Sequence, residues 1–145
     1  MLLVVDAEVI FACLIKRSFT LELVKLGKEK EYKLVTPEYV FEEVRRKEEK
    51  LLRYSKLERS GLWFLLFLLL AEIEPRPREE YKWFEEKAKE NAPFEDFPYL
   101  ALALKFKENG EKVRIWSNDP GFRAKSKKLV PFISTKELVL ELGVI

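Results

Sequence analysis

The stretch Leu2-Leu3-Val4-Val5-Asp6-Ala7-Glu8-Val9-Ile10 decides the fold class. A continuous apolar run ending in an acid reads as a strand buried on both faces, which is the pattern of a parallel sheet covered by helices. Past Asp6 the period changes, with Val9, Ile10, Cys13 and Leu14 recurring at helical spacing. Sheets of this kind place their functional crevice at the carboxyl ends of the strands. Asp6 is therefore a candidate functional residue.

Outward from this unit the alternation repeats. Phe19, Leu21, Leu23, Val24 and Leu26 predict a second helix ending near Gly27. Residues 32–35 predict a second strand, and Thr36-Pro37 reads as the N-cap and first position of a helix over residues 37–54. A further helix is expected over residues 61–71, then a joint at Pro75-Arg76-Pro77 and an amphipathic helix over residues 79–90. Asp96-Phe97-Pro98 opens a helix that carries Leu100 to Leu104 and stops before Gly110. Residues 113–116 predict a third strand, followed by Ser117-Asn118-Asp119, and residues 129–133 a fourth, with a closing helix from Thr135. With no internal repeat and no dividing linker, the expectation is one domain over residues 1–145. Its predicted class is a three-layer α/β/α fold with a four- to five-stranded parallel sheet.

Composition excludes several chemistries. The chain has no histidine and one cysteine, Cys13. That removes Ser/His and Cys/His nucleophilic catalysis, histidine-ligated zinc and thiolate zinc clusters. A lone cysteine cannot form an internal disulfide, which fits a reducing cytoplasm, and a charge at the sixth position is unlike a signal peptide. The apolar run over residues 62–71 is too short to span a bilayer and reads as a buried helix or a subunit contact. A Lys/Glu-rich, amide-poor balance suggests a source adapted to high temperature. Net charge is only +2, so charge alone does not announce a nucleic-acid binder.

The acids are unevenly distributed: 22 glutamates against three aspartates, Asp6, Asp96 and Asp119. Each aspartate has an ordinary reading, as an N-cap for Asp6 and Asp96 and as a turn residue in Asn118-Asp119-Pro120-Gly121. Yet Asp6 and Asp119 follow strands, and Asp96 opens the helix before the third strand, so the three can converge on one edge. Convergent carboxylates repel one another and resist desolvation. A hard cation such as Mg²⁺ or Mn²⁺ resolves this through oxygen ligands. It also stabilises charge on a phosphate and activates water without a histidine, which points to phosphodiester hydrolysis.

Four stretches in series resemble the PIN-domain family of PilT N-terminus-like nucleases, of archaeal type. They are Leu3 to Phe11 around Asp6, Thr36-Pro37 through Phe41-Glu42-Glu43-Val44, Glu95-Asp96-Phe97-Pro98-Tyr99-Leu100, and Ile115 to Phe122 around Asp119. The resemblance covers essentially the whole chain and implies a PIN-like fold and a Mg²⁺- or Mn²⁺-dependent endoribonuclease. It implies a carboxylate quartet of Asp6, Glu43, Asp96 and Asp119, serving as metal ligands and catalytic groups. Helical geometry alone does not choose between Glu42 and Glu43; the family pattern, with an apolar residue after its glutamate, favours Glu43 before Val44. Glu8 departs from the family's usual Asn or Ser and would either add a fifth carboxylate or weaken the site. Ser117 matches a hydroxyl position of the family. A receiver domain or a haloacid-dehalogenase-like phosphatase fits less well, because Asp6-Ala7-Glu8 lacks their acid patterns.

Basic residues cluster at Arg45-Arg46-Lys47, Arg53-Lys56-Arg59 and Arg123-Lys125-Lys127-Lys128. The first two read as solvated helix faces. The third suits phosphate contacts, so Ser117, Asn118, Arg123 and Lys125 are the expected substrate-binding residues. Trp116 and Phe122 read first as core, and otherwise as platforms for bases. RNA is the expected partner, with DNA the other candidate. The apolar segment at 62–71 suggests a homodimer, and the family resemblance adds an antitoxin-type protein. The second functional reading is a catalytically weakened PIN-like module that binds nucleic acid or protein.

Overall fold

Side chains of the first strand alternate between two apolar clusters: Leu3 and Val5 enter one, Leu2 and Val4 the other. The computed structural model describes residues 1–16 and 19–144. In chain order the elements are β1 (Leu2–Val5), α1 (Ala7–Lys16), α2 (Phe19–Glu29), β2 (Lys33–Pro37), α3 (Val40–Arg46), α4 (Glu48–Ser55) and α5 (Arg59–Leu69). They continue with β3 (Glu74–Arg76), α6 (Glu85–Asn91), α7 (Phe97–Glu108), β4 (Val113–Trp116), α8 (Pro120–Ser126), β5 (Phe132–Ile133) and α9 (Thr135–Glu141). The five strands are all parallel, in the order β3-β2-β1-β4-β5. The three-layer α/β/α class expected from the sequence is observed.

The strand order fixes where a site can form. From β1 the chain moves outward through β2 to β3, then returns to the other side of β1 with β4 and β5. The reversal lies between β1 and β4, and a crevice opens there at the carboxyl ends. α7 is covered almost all round, with Tyr99 through Leu104 and Phe106 buried. Its amino end, and hence Asp96, lies at the crevice edge because the helix runs back antiparallel to the strand it precedes.

Several expected boundaries shift for physical reasons. Thr36 and Pro37 belong to β2, not to a helix start, and the Thr36 hydroxyl donates to the Val5 carbonyl at 2.9 Å instead of capping a helix. The helix expected over residues 37–54 begins at Val40 and divides at Lys47, whose φ of −103° and ψ of 14° leave the helical range. The Pro75 joint is an edge strand, β3, where a missing N–H faces no partner strand. The helix expected over residues 79–90 is two short 3-10 turns followed by α6. α2 runs past Gly27 to Glu29, and the final strand shortens to Phe132–Ile133. Trp116 and Phe122 are fully buried, so they pack the core and offer no surface to a base.

Thr36 is fully buried and ties β2 to the last residue before Asp6. Thr36→Val keeps the shape and removes the hydroxyl. It is expected to lower unfolding free energy by about 1 kcal/mol, read as a lower urea midpoint. An unchanged midpoint would show that the bond contributes nothing.

Candidate functional site

Asp6 is placed by the end of β1. Its backbone N–H donates to the Trp116 carbonyl at 3.0 Å, continuing the β1–β4 ladder, and its side chain turns into the crevice. Asp6 Oδ1 accepts from the Ala7 N–H at 2.8 Å and Oδ2 from the Ser117 hydroxyl at 2.7 Å. The side chain is nearly sealed from solvent, at 2% exposure. Burial raises its pKa well above the usual carboxylate range; the Ser117 bond opposes this, and the charges of Asp96, Glu8 and Glu43 add to it.

Asp119 arrives from β4. Its Oδ1 caps α8, accepting from Gly121 N at 2.9 Å and Phe122 N at 3.3 Å. Its own N–H donates to the Ser117 hydroxyl oxygen at 3.1 Å, so Ser117 links the two strand-end aspartates. The stretch read as a turn is the start of α8, with Asp119 as its N-cap, and the same residue lines the cleft. Asp96 differs: it precedes α7 but makes no side-chain capping bond. Its pKa rises to about 7, through burial first and then the charges of Asp119 and Glu43.

α3 resolves the Glu42/Glu43 ambiguity of position. Val40, Glu43 and Val44 form its buried face, leaving Glu43 at 3% exposure, while Glu42 points outward and pairs with Arg45 at 3.1 Å. Glu43 Oε1 accepts a 2.6 Å bond from the hydroxyl of Tyr99, a fully buried residue of α7. Burial raises the Glu43 pKa, against the lowering effects of that bond and of Lys47.

Asp6, Glu43, Asp96 and Asp119 therefore line one cleft of about 160 Å³, together with Ala7, Glu8, Phe11, Lys47 and Glu95. Glu8 belongs to the cleft, but its Oε1 accepts from the Asn118 N–H and lies 3.4 Å from the Ser117 hydroxyl. It braces α1 against the loop after β4, and burial raises its pKa. Asn118 is occupied elsewhere, bonding the Thr135 hydroxyl at 2.9 Å and the Thr135 N–H at 2.8 Å. Arg123 pairs with Glu137 at 2.5 Å, and neither Arg123 nor the exposed Lys125 lines the cleft. Lys47, Glu95 and Tyr99 were not among the expected site residues. The spacing of Lys47 four positions after Glu43, on one helix face, was the signal for the first.

An oxygen-only set of crowded carboxylates suits a hard divalent cation and no soft one. Among the described residues, however, no group of three or more acidic, histidine or cysteine side chains stands ready to hold an ion.

The acidic cleft lies at the strand-order reversal of a parallel α/β sheet, at the carboxyl edge where domains of this class bind their ligands. The PIN-domain family model matches residues 4–138, and the chain belongs to that family. PIN domains are generally nucleases that bind nucleic acid and typically use divalent metals, so this is a nuclease-type module. No curated protein and no solved structure matches the chain. Among the described residues no helix is long and apolar enough to cross a membrane.

The raised pKa of Asp96 fixes the sign of a pH effect. The folded state binds this proton more tightly than the unfolded chain, whose value is near 3.8. Stability from this group is therefore full below about pH 4 and is lost as pH rises through about 7. In EDTA the wild-type Tm should fall over that window relative to Asp96→Asn. Parallel Tm profiles for the two proteins would contradict the assignment.

Proposed function

We propose that this chain is a metal-dependent endoribonuclease that hydrolyses phosphodiester bonds of single-stranded or structured RNA, with DNA the other candidate substrate. The observation that carries the reading is the meeting of Asp6, Glu43, Asp96 and Asp119, from four separate elements, in one cleft. Family membership supports the hydrolase chemistry.

In this reading the four carboxylates hold Mg²⁺ or Mn²⁺. The ion, when bound, neutralises their repulsion, stabilises charge on the scissile phosphate and activates water. Ser117 orients Asp6 and Asp119 through its two hydrogen bonds. Tyr99 fixes the rotamer of Glu43. Asn118 steadies the loop that carries Asp119 by its bonds to Thr135. Arg123, once released from Glu137, and the exposed Lys125 extend phosphate contacts beyond the cleft.

A second reading is a weakened module that binds nucleic acid without cutting it. Glu8 adds negative charge to the same cleft. Incubating single-stranded RNA with Mn²⁺ or Mg²⁺ separates the readings. The nuclease reading expects cleavage abolished by EDTA and reduced at least about 100-fold by Asp6→Asn or Asp119→Asn. Metal-independent cleavage, or cleavage indifferent to both substitutions, would discard the site. No cleavage by the wild type, with no calorimetric Mn²⁺ binding, would favour the weakened module.

α5 supports the expected self-association. It buries Leu62, Leu66 and Leu69 but leaves Phe64, Phe67 and Leu68 exposed in a row of large apolar side chains. A homodimer forms over this face in the function proposed, with an antitoxin-type protein as the other candidate occupant. Sedimentation velocity should report a dimer that Phe67→Asp dissociates; a wild-type monomer at high concentration would remove the homodimer.

A further inference from the structure

Six carboxylates line the cleft, from Asp6, Glu8, Glu43, Glu95, Asp96 and Asp119, and among the described residues Lys47 is the one cation lining it. Lys47 stands one helical turn after Glu43, at the junction of α3 and α4. Its ammonium lies 5.4 Å from the centroid of the Phe11 ring, which also lines the cleft. Its neighbours in the basic run have other partners: Arg45 pairs with Glu42, and Arg46 donates to the Tyr39 hydroxyl at 2.7 Å besides pairing with Glu95.

The contact between Lys47 and Glu95 is loose. Nζ stands 3.7 Å from Glu95 Oε2, and the Arg46 guanidinium stands 3.6 Å from Oε1. Both are ion pairs beyond hydrogen-bond distance. The Lys47 ammonium donates no hydrogen bond among the described residues, so its three donors stay uncommitted while the Glu95 charge and the Phe11 ring keep it at the cleft. A phosphodiester oxygen is the acceptor such a group fits. In a cleft this acidic it is also the ligand that most needs a fixed cation.

We propose that Lys47 is a substrate-binding residue that donates to a phosphate of the RNA strand at the cleft, and that Glu95 competes for it in the free protein. The proposal rests on the nucleic-acid reading of the cleft and does not require the bond to be cut. Substrate entry exchanges a loose Lys47–Glu95 pair for a hydrogen-bonded Lys47–phosphate pair. Glu95 keeps Arg46 as its partner, so releasing Lys47 leaves no isolated carboxylate.

The test is fluorescence anisotropy of a labelled single-stranded oligoribonucleotide, titrated in Ca²⁺ at several salt concentrations, with circular dichroism confirming that each variant is folded. Lys47→Met should weaken binding about tenfold and reduce the slope of log affinity against log salt by about 0.7. Glu95→Gln should tighten binding a few-fold. Lys112→Met, a surface lysine at the amino end of β4, should change nothing. Equal affinity and equal salt slope for wild type and Lys47→Met would overturn the proposal, as would a wild type that does not bind the strand. A wild type that binds with the full Lys47 effect but never cleaves in Mg²⁺ or Mn²⁺ would sustain the proposal and sink the nuclease reading alone.

Discussion

Mutual repulsion of carboxylates with restricted access to water is the constraint around which the rest of the molecule is arranged. An unpaired buried charge costs several kcal/mol, whereas a hydrogen bond to a charged group returns about 1.5–3 kcal/mol. Asp6 has two such bonds, from Ala7 and Ser117, and its pKa is still raised. Local hydrogen bonding therefore does not balance the burial. What keeps the acids together is packing on both faces of the sheet: β1 is buried in full, and α7 carries Asp96 on a helix covered on almost every side. Holding these acids in their charged form is what a cation or a cationic side chain can favour, and that links the energetics to the chemistry.

Ser117 shows how little separates scaffold from site. One buried hydroxyl donates to Asp6 and accepts from the backbone of Asp119, so the strand ends β1 and β4 are coupled through a single oxygen. Glu8 adds a second tie by accepting from Asn118. These contacts hold the crevice edge where the strand order reverses, while the Asp96 side chain makes no capping bond to α7.

The layered fold was readable from the sequence because strand burial on two faces leaves an unbroken apolar run, as in Leu2–Val5, and helices leave a 3.6-residue period. Asp6, Asp96 and Asp119 stood out because the chain uses glutamate almost everywhere else. Local signals misled where tertiary contact overrode them. Thr36-Pro37 has the chemistry of a helix start, yet strand pairing with β1 and a bond to Val5 claim it. Pro75 argues against a strand except at an edge, which is where β3 lies. The choice between Glu42 and Glu43 needed the identity of the buried face of α3, and the contact of Lys47 with Glu95 needed two segments distant in sequence. Arg123 looked like a free phosphate ligand because its partner, Glu137, sits on another helix.

In the function proposed, the acidic cleft is a cation site. Anomalous diffraction from a crystal soaked in Mn²⁺ tests it most directly. A peak is expected in the cleft, with carboxylate oxygens of Asp6 and Asp96 within about 2.2 Å of it. A cleft without a peak, with Asp6 still bonded only to Ala7 and Ser117, would contradict it.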